Sequence, residues 1–202
     1  MSRRATIEEK NMSILNCFFA LAAVCFVTIP GLATASDSLT VDAGALAGFR
    51  FSIPDNAGAK NYLGLKGTDT FTIPQIKADT VIIEIFSMYC PICQAEAPVV
   101  NELHRLIEKT PSLKGKVKLI GIGAGNSAFE VEVFRKKYNI LFPLFPDEKY
   151  GIQKALSGPI RTPTFVAIKG FGGKGLKVQH VHVGRMTPKQ FLKEVTAASR
   201  RK

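Results

Sequence analysis

Val81-Ile82-Ile83-Glu84-Ile85-Phe86, then Ser87-Met88-Tyr89, then Cys90-Pro91-Ile92-Cys93: on this stretch the reading of the whole chain turns. Its first six residues are nearly all apolar and rich in β-branched side chains, the pattern of a strand buried on both faces of a sheet. Beyond the cysteines, Val99, Val100, Leu103, Leu106 and Ile107 recur at helical spacing up to Lys109, and Pro111 stands just past the end. The prediction is a central strand that delivers two cysteines to the start of a helix.

Downstream, residues 116–122 read as a second buried strand. Ser127-Ala128-Phe129-Glu130 is a capping box, opening a helix whose Phe129, Val133, Phe134 and Tyr138 are expected to face inward. Leu144 and Phe145 suggest a short third strand, and Asp147 can cap a brief helix through Leu156 that Gly158 ends. Residues 164–169 and 177–183 form a predicted hairpin around the glycine-rich segment 170–175. Thr187-Pro188-Lys189-Gln190 opens a final helix with a cap, a proline at its first position and a closing glutamine. The order β-α-β-α-β-α-β-β-α predicts an α/β fold with a mixed central sheet and helices on both faces. Residues 36–76 carry Gly, Asp and Pro at short intervals. They read as a loosely structured N-terminal extension with one or two short edge strands, leaving 77–202 as the main domain.

The first 35 residues follow a different logic. Arg3, Arg4 and Lys10 precede an uncharged run from Met12 to Ile29, Pro30 and Gly31 break it, and Ala33-Thr34-Ala35 follows. That is the layout of a secretory signal cleaved after Ala35, which predicts a periplasmic or otherwise exported chain. The competing reading is an uncleaved membrane anchor, because the run is close to the lower length limit for spanning a bilayer. A lipoprotein reading fits less well, since Val24 stands where a small residue should precede Cys25. Composition, with 46% hydrophobic and 21% charged residues, is that of an ordinary globular chain. The net charge of +11 falls to +10 without the leader's three basic and two acidic residues. Its basic residues are scattered, with clusters only at Arg135-Lys136-Lys137 and Arg200-Arg201-Lys202, so no nucleic-acid partner is expected.

Of four cysteines, Cys17 and Cys25 lie in the leader, leaving Cys90 and Cys93. A bridge closing so short a loop constrains the unfolded chain little, which favours a reactive pair over a structural staple. Disulfide exchange needs a thiolate to attack and a second thiol to resolve the mixed disulfide. Cys90 just before a helix would have its pKa lowered by exposed N–H groups and the helix dipole, while Cys93, one turn in, would be more buried. Pro91 is tolerated because the first turn has no N–H obligation to meet. Glu84, a carboxylate within the apolar strand, would have a raised pKa and could exchange the Cys93 proton near neutral pH. Thr162-Pro163-Thr164 places a proline directly before a buried strand, where its loop could offer backbone to a substrate.

A zinc ribbon needs two further ligands at similar spacing, and His104, His180 and His182 read as surface or packing residues, so no metal is expected. A non-catalytic module holding copper(I) between the two thiolates is the alternative from another class. The segment Gly121-Ile122-Gly123-Ala124-Gly125-Asn126 imitates a dinucleotide-binding turn, but Asn126 spoils the third glycine position and the motif follows the wrong strand. Phe86-Ser87-Met88-Tyr89 lacks the Pro and Thr a peroxiredoxin would carry upstream of its cysteine.

Together, the strand, Cys90-Pro91-Ile92-Cys93, the helix and Thr162-Pro163-Thr164-Phe165 resemble the thioredoxin superfamily, within it the TlpA-like reductases that include the cytochrome c maturation thioredoxins. The resemblance covers roughly residues 60–198. It implies a thioredoxin-like fold and thiol-disulfide exchange with Cys90 as nucleophile and Cys93 as resolving thiol. It also implies Glu84 and Glu96 in proton transfer and tuning, Pro98 as a helix-kinking proline, and a cis-Pro163 loop that with Thr162, Pro91 and Ile92 meets the substrate. The redox-active disulfide would be the only redox group, client proteins with disulfides the substrates, and a membrane dithiol the electron donor. Tyr89 stands where the family usually has Trp, Pro91-Ile92 replaces its usual dipeptide, and Arg161 precedes the proline loop where a smaller residue is common.

Overall fold

In the computed structural model, which describes residues 39–67, 69–171 and 175–200, Val81–Phe86 lies inside strand β3 (Thr80–Phe86), every residue of which is buried. The expected leader, 1–35, lies outside the described residues. Among those described, no helix is long and apolar enough to cross a membrane.

The main sheet has the order β5-β4-β3-β6-β7, with β4 spanning Val117–Ala124, β5 Leu144–Asp147, β6 Thr164–Lys169 and β7 Lys177–Val183. Strands β3, β4 and β5 run parallel, while β6 and β7 are antiparallel to the strands beside them, so the sheet is mixed as expected. Alternation along β3 divides its side chains between two cores. Val81, Ile83 and Ile85 face one, with Ile120, Ile122, Val166 and Ile168. Ile82 and Phe86 face the other, with Cys93, Val100, Leu103 and Ile107 of helix α3 (Pro91–Lys109) and Phe191 and Val195 of helix α5 (Pro188–Arg200). Glu84 shares this second face by its parity.

The first core overturns the expectation of a loose lead-in. Helices α1 (Ala43–Gly48) and α2 (Ala57–Leu63) and the two-stranded ribbon of β1 (Arg50–Ser52) and β2 (Thr70–Thr72) supply its outer wall. Phe51 stacks on Phe71 at 5.2 Å between ring centroids, and both contact Phe145 of β5, at 5.0 and 5.3 Å. The two strands pair with each other rather than with an edge of the main sheet. Frequent Gly, Asp and Pro marked real turns and caps, such as the Asp42 and Asn56 side chains that cap α1 and α2. The covering role of the few large apolar residues between them is a tertiary property.

Helix α4 (Ala128–Lys137) has the capping box, with Ser127 and Glu130 satisfying each other's backbone groups. Its inward face, however, is Val131 and Phe134, while Phe129 is 77% exposed. Phe129 and Val133, four apart, share a stripe, but the sheet takes the stripe nearly opposite. The glycines of the 121–126 segment also resolve plainly. Gly121 and Gly123 lie within β4, and a Cβ on Gly123 would come within 2.8 Å of Val131 Cγ2, so glycine here permits close packing of α4 on the sheet. The brief helix after Asp147 is a 3₁₀ segment, Gly151–Ala155, whose Gly151 and Ile152 N–H groups donate to the Asp147 carboxylate.

Because Phe71 is 1% exposed and packs on two rings, Phe71→Ala is expected to destabilise the protein by about 3–5 kcal/mol in urea unfolding. Phe129→Ala should stay within about 0.5 kcal/mol of wild type. Similar losses at the two positions would contradict the N-terminal segment's place in the core.

Candidate active site

Strand β3 ends at Phe86, and four residues later Cys90 is the N-cap of α3, with Pro91 in the first helical position. The turn between is held from both sides. The Met88 N–H donates to Asn126 Oδ1 at 2.8 Å, and Gln94 Nε2 donates to the Met88 carbonyl at 2.7 Å. Cys90 Sγ therefore sits at a helix N-terminus and accepts from the Cys93 N–H at 3.4 Å. As a thiol it donates to the Thr162 carbonyl, 3.3 Å away. The Thr162–Pro163 bond is cis, and the loop is tied down by Thr164 Oγ1 donating to Arg161 O at 2.6 Å and Gly184 N–H to Pro163 O at 2.8 Å.

The two sulfurs have opposite environments. Burial alone would raise the Cys90 pKa, but hydrogen bonds to the thiolate from the Thr162 side chain, Cys93 and the Ile92 N–H outweigh it, and the net shift is downward. Cys93 is 0% exposed, and burial followed by proximity to Cys90 drives its pKa far upward. One sulfur gives up its proton more readily than an ordinary cysteine, and its neighbour holds its proton far more tightly.

Beneath them, Glu84 is 1% exposed, paired in register with Gly121 and Phe165, and its Oε1 finds no hydrogen-bond partner among the described residues. Burial, and secondarily the charge of Glu96, push its pKa up to about 8. The alternative of an edge side chain reaching water is excluded by the strand's central place. Glu96 is also buried, accepts from the Met186 N–H at 3.3 Å and lies 3.8 Å from Arg185 Nε.

Cys90, Cys93, Pro91, Ile92 and Thr162 thus come together at the end of β3, with Pro163 next in the loop, and Glu84 and Glu96 lie on the buried side. At the surface, Tyr89 is 65% and Ile92 44% exposed, and the Tyr89 hydroxyl donates to Glu130, next to exposed Phe129. No sequence pattern assigns Asn126, Gln94, Arg185 or Met186 to the site. Asn126 registered there only as a break in a glycine motif, and no local pattern marks a side chain that supports a backbone turn 38 residues earlier.

A mixed five-stranded sheet carrying a half-buried and a buried cysteine at a helix start, opposite a cis-proline loop, defines a thioredoxin-superfamily protein. Residues 52–198 match the redoxin family model, and the chain belongs to that family. It is 25% identical over 119 residues to the thiol-disulfide oxidoreductase ResA of Geobacillus thermodenitrificans, covering 57% of this chain and 62% of the relative. To ResA of Bacillus thuringiensis it is 30% identical over 128 residues, 61% of this chain and 68% of that one. The first relative is thus matched over less than two thirds of its length. Among solved structures, DsbF of Mycobacterium tuberculosis superimposes with a TM-score of 0.55 at 21% identity, covering 79% of this chain and 99% of that one. A secreted disulfide oxidoreductase of the same organism does so at 0.51 and 18% identity, covering 76% and 98%. Both likenesses concern the fold.

The Glu84 environment has a consequence for stability. Between pH 4.5, the ordinary carboxyl value, and about 8, the folded chain holds a proton that the unfolded chain has released. Stability from this group is complete below the lower value and declines as pH rises toward the upper one, by at most on the order of 5 kcal/mol. Urea unfolding at pH 5 and pH 8 is expected to show a drop in wild type that Glu84→Gln lacks. Parallel pH dependences would rule out a buried, protonated Glu84.

Proposed function

We propose that the protein is an exported thiol-disulfide oxidoreductase that reduces disulfides of client proteins through Cys90 and Cys93. The observation that carries this reading is the asymmetry of the pair, a half-exposed sulfur with lowered pKa one helical turn from a fully buried one with raised pKa. The Cys90 thiolate attacks a client sulfur, forming a mixed disulfide and expelling the client's other sulfur as a thiolate. Cys93 then loses its proton and attacks Cys90 Sγ, which releases the second client thiol and closes the Cys90–Cys93 disulfide. Two electrons pass to the client, and a membrane dithiol donor returns them to the pair. The two sulfurs are themselves the redox group.

Glu84 takes the Cys93 proton in this scheme. A carboxyl with pKa about 8 can accept and return protons near neutral pH, as an ordinary carboxylate cannot. Glu96 tunes it through its charge. The client strand lies against the Thr162–Pro163 loop, with Pro91, Ile92 and Tyr89 as the apolar rim. The relatives named thiol-disulfide oxidoreductases support the chemistry, and the secretory pattern of residues 1–35 supports export.

In an insulin-reduction assay, Cys90→Ser is expected to abolish exchange, whereas Cys93→Ser should accumulate mixed disulfides with the substrate. Equal residual activity of the two variants would overturn the roles assigned. The direction of transfer is read from the reduction potential of the pair against glutathione buffers. A value near about −270 mV supports a reductase, and one near about −120 mV would make the protein an oxidant instead. On export, the N-terminus is expected at Ser36; a chain retaining residues 1–35 in the membrane would show the segment to be an anchor.

A further inference from the structure

On the α5 side of the sheet, about the edge strand β7, lies a group of side chains that the exchange chemistry does not use. We propose that His180, His182 and Glu194 form a binding site for a divalent first-row transition ion of the borderline class represented by zinc(II). His180 and His182 alternate along β7 and so project from the same face. Glu194 comes from α5, which packs on that face. One ligand atom from each of the three lies within 4.8 Å of the others, a donor set of two imidazoles and one carboxylate.

Individual contacts favour an ion over simple pairing. His180 Nε2 lies 3.1 Å from Glu194 Oε2, yet it is buried and makes no aligned hydrogen bond among the described residues. Two donors held at about 2.0–2.1 Å by one tetrahedral ion stand roughly 3.3 Å apart, close to that separation. The three side chains are steered by neighbours in the way metal ligands are. Gln190 Nε2 donates to Glu194 Oε1 at 2.7 Å, engaging one oxygen and leaving Oε2 toward His180. His182 Nε2 is 2.6 Å from the Arg185 carbonyl, which can only accept, so a neutral ring carries its proton there and keeps a lone pair on Nδ1. Phe191 meets both imidazoles edge-on, at 5.5 and 6.1 Å between centroids, which restricts their rotation. A cavity of about 360 Å³, bordered by His182, Glu194, Glu96 and Arg185, adjoins the group and gives an ion both an approach and room for water ligands.

The test uses zinc chloride and the full chain with the Cys90–Cys93 disulfide closed and Cys17 and Cys25 alkylated, so that thiolates cannot compete. Calorimetric titration is expected to show one zinc bound per chain, with His180→Ala, His182→Ala and Glu194→Gln each weakening it at least tenfold. His104→Ala should leave binding unchanged. No saturable binding to the wild-type chain, or binding undiminished in all three variants, would overturn the proposal. A measurement on the unmodified chain guards against variants that fold poorly. The protein has three histidines, so imidazole NMR signals identify the ligands directly. Zinc should shift the rings of His180 and His182 and spare His104; the reverse pattern overturns the site.

Discussion

Strand β3 has no solvent-facing side, and the rest of the structure follows from that constraint. Its apolar residues alternate between two cores, so each face of the sheet must be covered. One face takes α3, α4 and α5. The other is closed by a segment that would have little reason to fold alone, the α1, β1, α2, β2 region with its stacked phenylalanines. Desolvation of the same strand makes Glu84 what it is: a carboxyl in a place where its charge is costly, with a pKa of about 8.

The cysteine pair draws its asymmetry from the same geometry. A strand that ends beneath the start of a helix places one residue at the N-cap and another a turn deeper. The first meets backbone N–H groups and the Thr162 side chain, which stabilise a thiolate; the second meets hydrocarbon. The disulfide exchange we propose exploits that difference. Attack requires an ionised and accessible sulfur, and resolution requires one that stays protonated until the mixed disulfide has formed. Asn126, Gln94 and the ties on the proline loop hold this arrangement by bonding to backbone, which fixes positions without adding reactive groups.

Some of this was legible in the chain and some was not. The hairpin of β6 and β7 was readable to the residue, because alternating or continuous apolar runs bounded by glycines are local patterns. Cys90 at a helix start and Glu84 within a strand were readable for the same reason. On α4, Phe134 and Tyr138 pack on the core as expected, but Phe129 and Val133 lie on a stripe nearly opposite the one the sheet takes, and only the position of the sheet selects Val131 instead. In the N-terminal extension the short strands were legible, but its helices and its place in the core were not, because turn-forming residues outnumber the apolar ones that matter.

The sequence by itself determined the order of elements from β3 onward, the reactive pair and the acid placed beside it, since periodicity, capping and spacing act over a few neighbouring residues. Tertiary structure alone decided which segment closes the first core, which backbone groups hold the Cys90 turn, and that Glu96 and Arg185 meet. It also brought His180 and His182 to Glu194. These are contacts between different elements of the fold, and the physical reason they could not be read is that register and packing, not local pattern, choose the partner.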